Sequence, residues 1–85
     1  MKTKFYLQYV IKVKRYIEID VDKVGKAIYN DLKNVSSSDL NKVIGDKLNK
    51  YLEQNFPVLE NATYYGSTLL NEIIKYVKYE RFREQ

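Results

Sequence analysis

Between Phe5 and Val21 apolar and polar residues alternate with a period of two. Phe5, Leu7, Tyr9, Ile11, Val13, Ile17, Ile19 and Val21 share one side, interrupted by Arg15, while Lys4, Tyr6, Gln8, Lys12, Lys14, Tyr16, Glu18 and Asp20 share the other. That period belongs to a strand with one face buried, and the Val, Ile and Tyr content suits a pleated surface. The reading is one long N-terminal β-strand over about residues 4–20. The rest of the chain must cover its apolar face.

A lone strand cannot satisfy its own backbone N–H and C=O groups, so it needs a neighbour. A tight hairpin within the stretch is disfavoured, because Val13-Lys14-Arg15-Tyr16 holds none of the Gly, Asn, Asp or Pro residues that turns use. A bulge or bend near Arg15 fits the break in the alternation. The neighbour is then either the C-terminal segment or the same strand of a second molecule, paired antiparallel about a two-fold axis. The second option makes the protein a homodimer.

The remaining residues read as helices. Asp20 or Asp22 can cap the first, and with Asp20 as cap Ile19 and Val24 are spaced as a hydrophobic staple. Val24, Ala27, Ile28, Leu32 and Val35 recur at helical spacing and predict a helix over about 22–34. Gly25 in its first turn costs about 1 kcal/mol relative to Ala, so that end frays unless another backbone packs there. Ser36, Ser37 and Ser38 form a polar link, and Leu40, Val43, Ile44, Leu48, Tyr51, Leu52 and Phe56 predict a second helix over about 38–55, stopped by Pro57. So short a link predicts an antiparallel helix hairpin. Residues 57–68 hold no persistent period and read as a loop or short edge segment. A last helix over about 67–79 gathers Leu69, Leu70, Ile73, Ile74, Tyr76 and Val77 on one face, and ends where Glu80 and Arg81 would fall on it. A strand from Ile74 to Phe82 is the competing reading of that stretch. The expected architecture is α+β, a single domain over residues 1–85.

Composition narrows the chemistry. The 85 residues include neither His nor Cys, which removes the usual near-neutral proton carrier and the strongest side-chain nucleophile and argues against an enzyme. With no disulfide framework possible, a reducing cytoplasm is the default compartment. No run approaches the roughly 20 apolar residues that a membrane span requires, so no membrane partner is expected. Asp20 and Asp22 could present two oxygens to a cation, but helix capping accounts for them, and Gly66-Ser67-Thr68 lacks the longer glycine-rich pattern and lysine of a phosphate loop. No catalytic residue, metal or cofactor is expected.

The formal net charge is +4, and residues 1–19 carry Lys2, Lys4, Lys12, Lys14 and Arg15 against the single acid Glu18. Residues 51–74 carry Glu53, Glu60 and Glu72 and no base. This layout suits an acidic partner or a second copy of the chain. The candidate binding residues are Lys4, Tyr6, Gln8, Lys12, Lys14, Arg15 and Tyr16, with Tyr64 and Tyr65 secondary. Interleaved cations and rings can neutralise phosphates and stack bases. They can also be simply a good strand former beside the usual guard of a sheet edge. The nine tyrosines equally suit protein–protein contact, where a rigid ring with a polar tip gives large area at low entropic cost. The expectation is a non-enzymatic accessory or inhibitory factor docking on an acidic protein partner. The alternative is nucleic-acid binding, single-stranded or backbone-directed, by the same face.

Overall fold

The computed structural model describes residues 4–64 and 66–84. The period-two stretch forms two strands rather than one: β1 (Lys4–Val10) and β2 (Lys14–Asp20) pair antiparallel. The turn that sequence reasoning disfavoured is Ile11-Lys12-Val13, and it closes without Gly, Asn, Asp or Pro because Lys12 itself takes a positive φ of 106°. Few non-glycine residues visit that region, which is why no turn signature is visible. The strand's neighbours are thus supplied by the chain itself. A third strand, β3 (Thr63–Tyr64), pairs antiparallel with the end of β1, giving the order β2-β1-β3.

In the hairpin, Phe5 faces Ile19, Leu7 faces Ile17 and Tyr9 faces Arg15, so odd-numbered residues share one side. Leu7, Tyr9 and Ile19 are buried there, as the alternation predicts. Ile11 and Val13, read from the alternation as core, instead lie in the turn and are exposed.

Helix α1 (Val21–Asn30) directly succeeds β2, and Asp20 caps it by accepting from the Lys23 N–H at 3.1 Å. Ile19 and Val24, both buried, occupy the staple positions. Helix α2 (Leu40–Asn55) begins after Asp39, whose carboxylate accepts from the Ser36 hydroxyl at 3.0 Å. It ends just before Pro57, where a short 3-10 turn (Pro57–Asn61) leads into β3. Helix α3 runs Ser67–Glu84, so the residues from Ile74 to Phe82 are helical throughout.

Of the expected helix hairpin, the two helices are present, but α1 packs more extensively on α3 than on α2. Gly25 is the reason α3 comes close: the Tyr76 ring lies on it, and a Cβ there would stand 2.8 Å from Tyr76 Cγ. A side chain, not a backbone, fills the place opposite that glycine. One core joins all layers, through Leu7 and Ile19 of the sheet, Val24, Ile28 and Leu32 of the first helix and its extension, Ile44, Leu48 and Leu52 of α2, and Leu69, Ile73 and Val77 of α3.

The last helix continues past Tyr79 because Arg81, on the face that should be apolar, has backbone acceptors waiting. Its guanidinium donates to the Leu32 carbonyl oxygen at 2.7 Å and to that of Val35. Arg81 thus ties α3 to the link between α1 and α2.

Candidate functional site

The hairpin register decides which polar residues meet. Lys4 stands opposite Asp20, Tyr6 opposite Glu18, Gln8 opposite Tyr16 and Val10 opposite Lys14, all on the side away from the helices. Tyr6 and Tyr16 are 62% and 61% exposed. They are diagonal neighbours, within reach of one another's rings on a pleated sheet. The twist favours that diagonal, because the Lys4 ammonium crosses along its parallel to Glu18, at 3.0 Å, rather than meeting Asp20 directly opposite. Gln8 and Lys14 lie on the next parallel. The outward face is therefore a ladder of three diagonals: an ion pair at the base, two tyrosines in the middle and an amide beside a lysine toward the tip.

Charge on this face is graded. At the base, Lys4 is engaged by Glu18, whose hydrogen bond and charge hold the ammonium pKa above its ordinary value, and Asp20 adds a further acid. At the tip, Lys12, Lys14 and Arg15 take part in none of the ion pairs among the described residues. Every residue from Ile11 to Tyr16 is exposed, so the distal hairpin reaches beyond the layer of helices. The principal extents of 46 × 25 × 18 Å reflect that elongation.

The seven primary candidates are brought together on one hairpin, though not on one face. Arg15 pairs with Tyr9 and so belongs to the inward side; it is exposed because the helices do not extend under the tip. Lys12 sits in the turn. Tyr64 pairs with Tyr9 and therefore joins the inward side too, away from Tyr6 and Tyr16. It lines a recess of about 470 Å³ with Gly45, Glu53 and Leu70, and burial, helped by Glu53, raises its phenol pKa. Tyr65 lies outside the described residues.

Sequence reasoning missed two exposed aliphatic residues at the tip, Ile11 at 39% and Val13 at 56%, since both continued the apolar alternation. It also missed the outer edge of β2, whose only strand neighbour in the described sheet is β1. A shallow groove of about 490 Å³ between the start of α1 and α3 is lined by Asp22, Glu72, Lys75, Tyr76, Glu80 and Arg83. Two of those acids are already paired, Glu72 with Lys75 and Glu80 with Arg83. Among the described residues no cluster of His, Cys, Asp or Glu is arranged to hold a metal ion, and no helix is long and apolar enough to cross a membrane. Compared with protein-family models, with curated proteins and with solved structures, the chain gives no match, so its site rests on its own geometry.

Proposed function

We propose that this protein is a non-catalytic binding factor of the cytoplasm that docks on an acidic protein partner through the outward face and tip of its β1–β2 hairpin. The observation that carries the reading is the adjacent pair Tyr6 and Tyr16, each more than half exposed on a face that none of the helices covers. Exposed rings held on paired strands lose little entropy on binding and are over-represented among the residues that dominate interfaces. At the base of the face Lys4 stands among two acids, Glu18 and Asp20, so cation and carboxylate lie side by side there, which suits a protein surface of mixed polarity. The tip cations Lys12, Lys14 and Arg15 supply the preference for an acidic partner. The homodimer belongs to this reading as well, since the outer edge of β2 has no partner strand in the described sheet.

The same tip favours a second reading. Three cations that take part in no ion pair among the described residues, beside an exposed tyrosine, are the components of a site for single-stranded nucleic acid. The salt dependence of oligonucleotide binding separates the two. The protein-docking reading expects no saturable binding of a mixed single-stranded oligonucleotide even at low salt. Saturable binding whose log–log salt slope drops by about two in the Lys12→Ala/Lys14→Ala variant transfers the function to nucleic acid.

A further inference from the structure

We infer that two copies of this chain join edge to edge through β2, antiparallel, with Ile17 of each copy on the two-fold axis. This arrangement rests on the homodimer of the preceding section and fixes its register. The open edge is its foundation: β2 (Lys14–Asp20) is the outer strand of the described sheet and offers a row of backbone N–H and C=O groups with no strand beside it among the described residues. Its occupant is chosen by charge.

Along β2 the cations Lys14 and Arg15 stand at the N-terminal end and the acids Glu18 and Asp20 at the C-terminal end. A strand with that order is complementary to itself when reversed. Pairing it antiparallel over its whole length sets Lys14 against the partner's Asp20 at both ends of the ladder and Tyr16 against the partner's Glu18. No like charges face one another. On the inward side Arg15 meets the partner's Ile19, and the half-buried Ile17 meets its own counterpart.

Neighbouring registers are worse. A two-fold perpendicular to the sheet keeps residues of equal parity opposite one another, so the strand can slide only by two residues at a time. Sliding one way places Glu18 against the partner's Glu18. Sliding the other way keeps Lys14 paired, with the partner's Glu18, but sets Asp20 beyond the end of the partner's strand, and either slide shortens the paired stretch. The favoured register makes one six-stranded sheet with both sets of helices on the same side, and it brings Tyr16 and Lys14 of each copy across the axis onto one continuous outward face. Each copy then contributes to the other's docking surface.

The chain contains no cysteine, so a single introduced thiol reads the register directly. Residues directly opposite in an antiparallel pair have Cα atoms about 4.5–5.5 Å apart, inside the roughly 4.4–6.8 Å window of a disulfide. Under mild oxidation Ile17→Cys should therefore form a covalent dimer in high yield. Arg15→Cys should not, because its counterpart lies about 14 Å away along the strand. Unmodified protein at micromolar concentration should sediment at twice the 10.2 kDa chain mass. Lys14→Glu should raise the dimer dissociation constant at least about tenfold, as two attractive pairs become repulsive, and Asp20→Asn, which keeps a capping side chain, should restore much of the loss. Lys12→Glu carries the same charge change from the turn and should leave the dimer intact. A monomer at tens of micromolar overturns the inference, as does equal weakening by Lys12→Glu and Lys14→Glu, or a dimer that cross-links through Arg15→Cys and not Ile17→Cys. A monomer would leave the docking role of Tyr6 and Tyr16 standing, since one copy displays both.

Discussion

Replacing Lys12 by Gly should make this protein more stable, although most substitutions do the opposite. Lys12 is the middle residue of the Ile11-Lys12-Val13 turn and holds a φ of 106°. A non-glycine residue in so sparsely populated a region costs on the order of 1–3 kcal/mol. Glycine adopts it freely but surrenders more backbone entropy on folding, about 0.5–1 kcal/mol. At a strain of about 1.5 kcal/mol, in the lower half of that range, the difference leaves a net gain of roughly 0.5–1 kcal/mol, which for a domain of this size raises Tm by about 2–8 °C. Removing a cation from beside Lys14 and Arg15 could itself stabilise the tip, so Lys12→Ala is the control: it deletes the same charge while keeping the β-carbon that causes the strain. Urea unfolding of the three proteins under one salt condition separates the terms. The Gly variant must exceed the Ala variant. If the two unfold at the same urea concentration, the turn is unstrained and the account of how β1 and β2 close without a turn residue is wrong.

Other expectations concern the interior. Arg81→Met keeps the side-chain stem but removes the charge-assisted bonds to the Leu32 and Val35 carbonyl oxygens, so equilibrium unfolding should show a loss of about 2–3 kcal/mol; a loss under about 0.5 kcal/mol would mean that Arg81 does not hold α3 to the link. Gly25→Ala should destabilise despite gaining about 1 kcal/mol of helix propensity, because the added Cβ runs into the Tyr76 ring; pairing it with Tyr76→Leu should recover much of the loss, and a stabilised single variant would contradict the packing. Burial, reinforced by Glu53 at Tyr64 and by Glu80 and Asp22 at Tyr76, raises both phenol pKa values above the ordinary tyrosine value. The neutral phenols are therefore favoured by folding. Their contribution is complete below the unfolded tyrosine pKa of about 10 and lost as the pH rises through the folded values. Ultraviolet titration of Tyr64→Phe and Tyr76→Phe should each delete a late-ionising phenol, and deletion of an early one would contradict the assignment.

The outward face was legible in the sequence because strand parity is absolute: once Leu7 and Ile19 are buried, Tyr6, Tyr16 and Lys14 must point away. The helices were legible where a local signal marks them, as with the Asp20 cap and Pro57. The turn was not legible, because its signal is a backbone angle on Lys12, and composition does not record strain. The end of α3 was misread for a different reason. Arg81 looks like a fault in an apolar stripe until the carbonyls of Leu32 and Val35, distant in sequence, are brought beside it. Within the site, the same long-range pairing explains why Arg15 and Tyr64 part company with Tyr6 and Tyr16. Only the register of β1 on β2 and β3 sorts them between two sides of one sheet, and that register depends on where the unmarked turn falls.

If Tyr6 and Tyr16 serve binding and not folding, the Tyr6→Ser/Tyr16→Ser variant should separate affinity from stability when both are measured on the same preparation. Both rings lie opposite the buried Leu7 and Ile19 side, so urea unfolding should register only lost strand propensity and cross-strand contact, about 1 kcal/mol or less per residue. Affinity for a protein ligand that the unmodified chain binds should fall at least tenfold, the equivalent of about 1.4 kcal/mol. A variant that loses several kcal/mol of stability, or that folds normally and binds as tightly as before, would contradict the account.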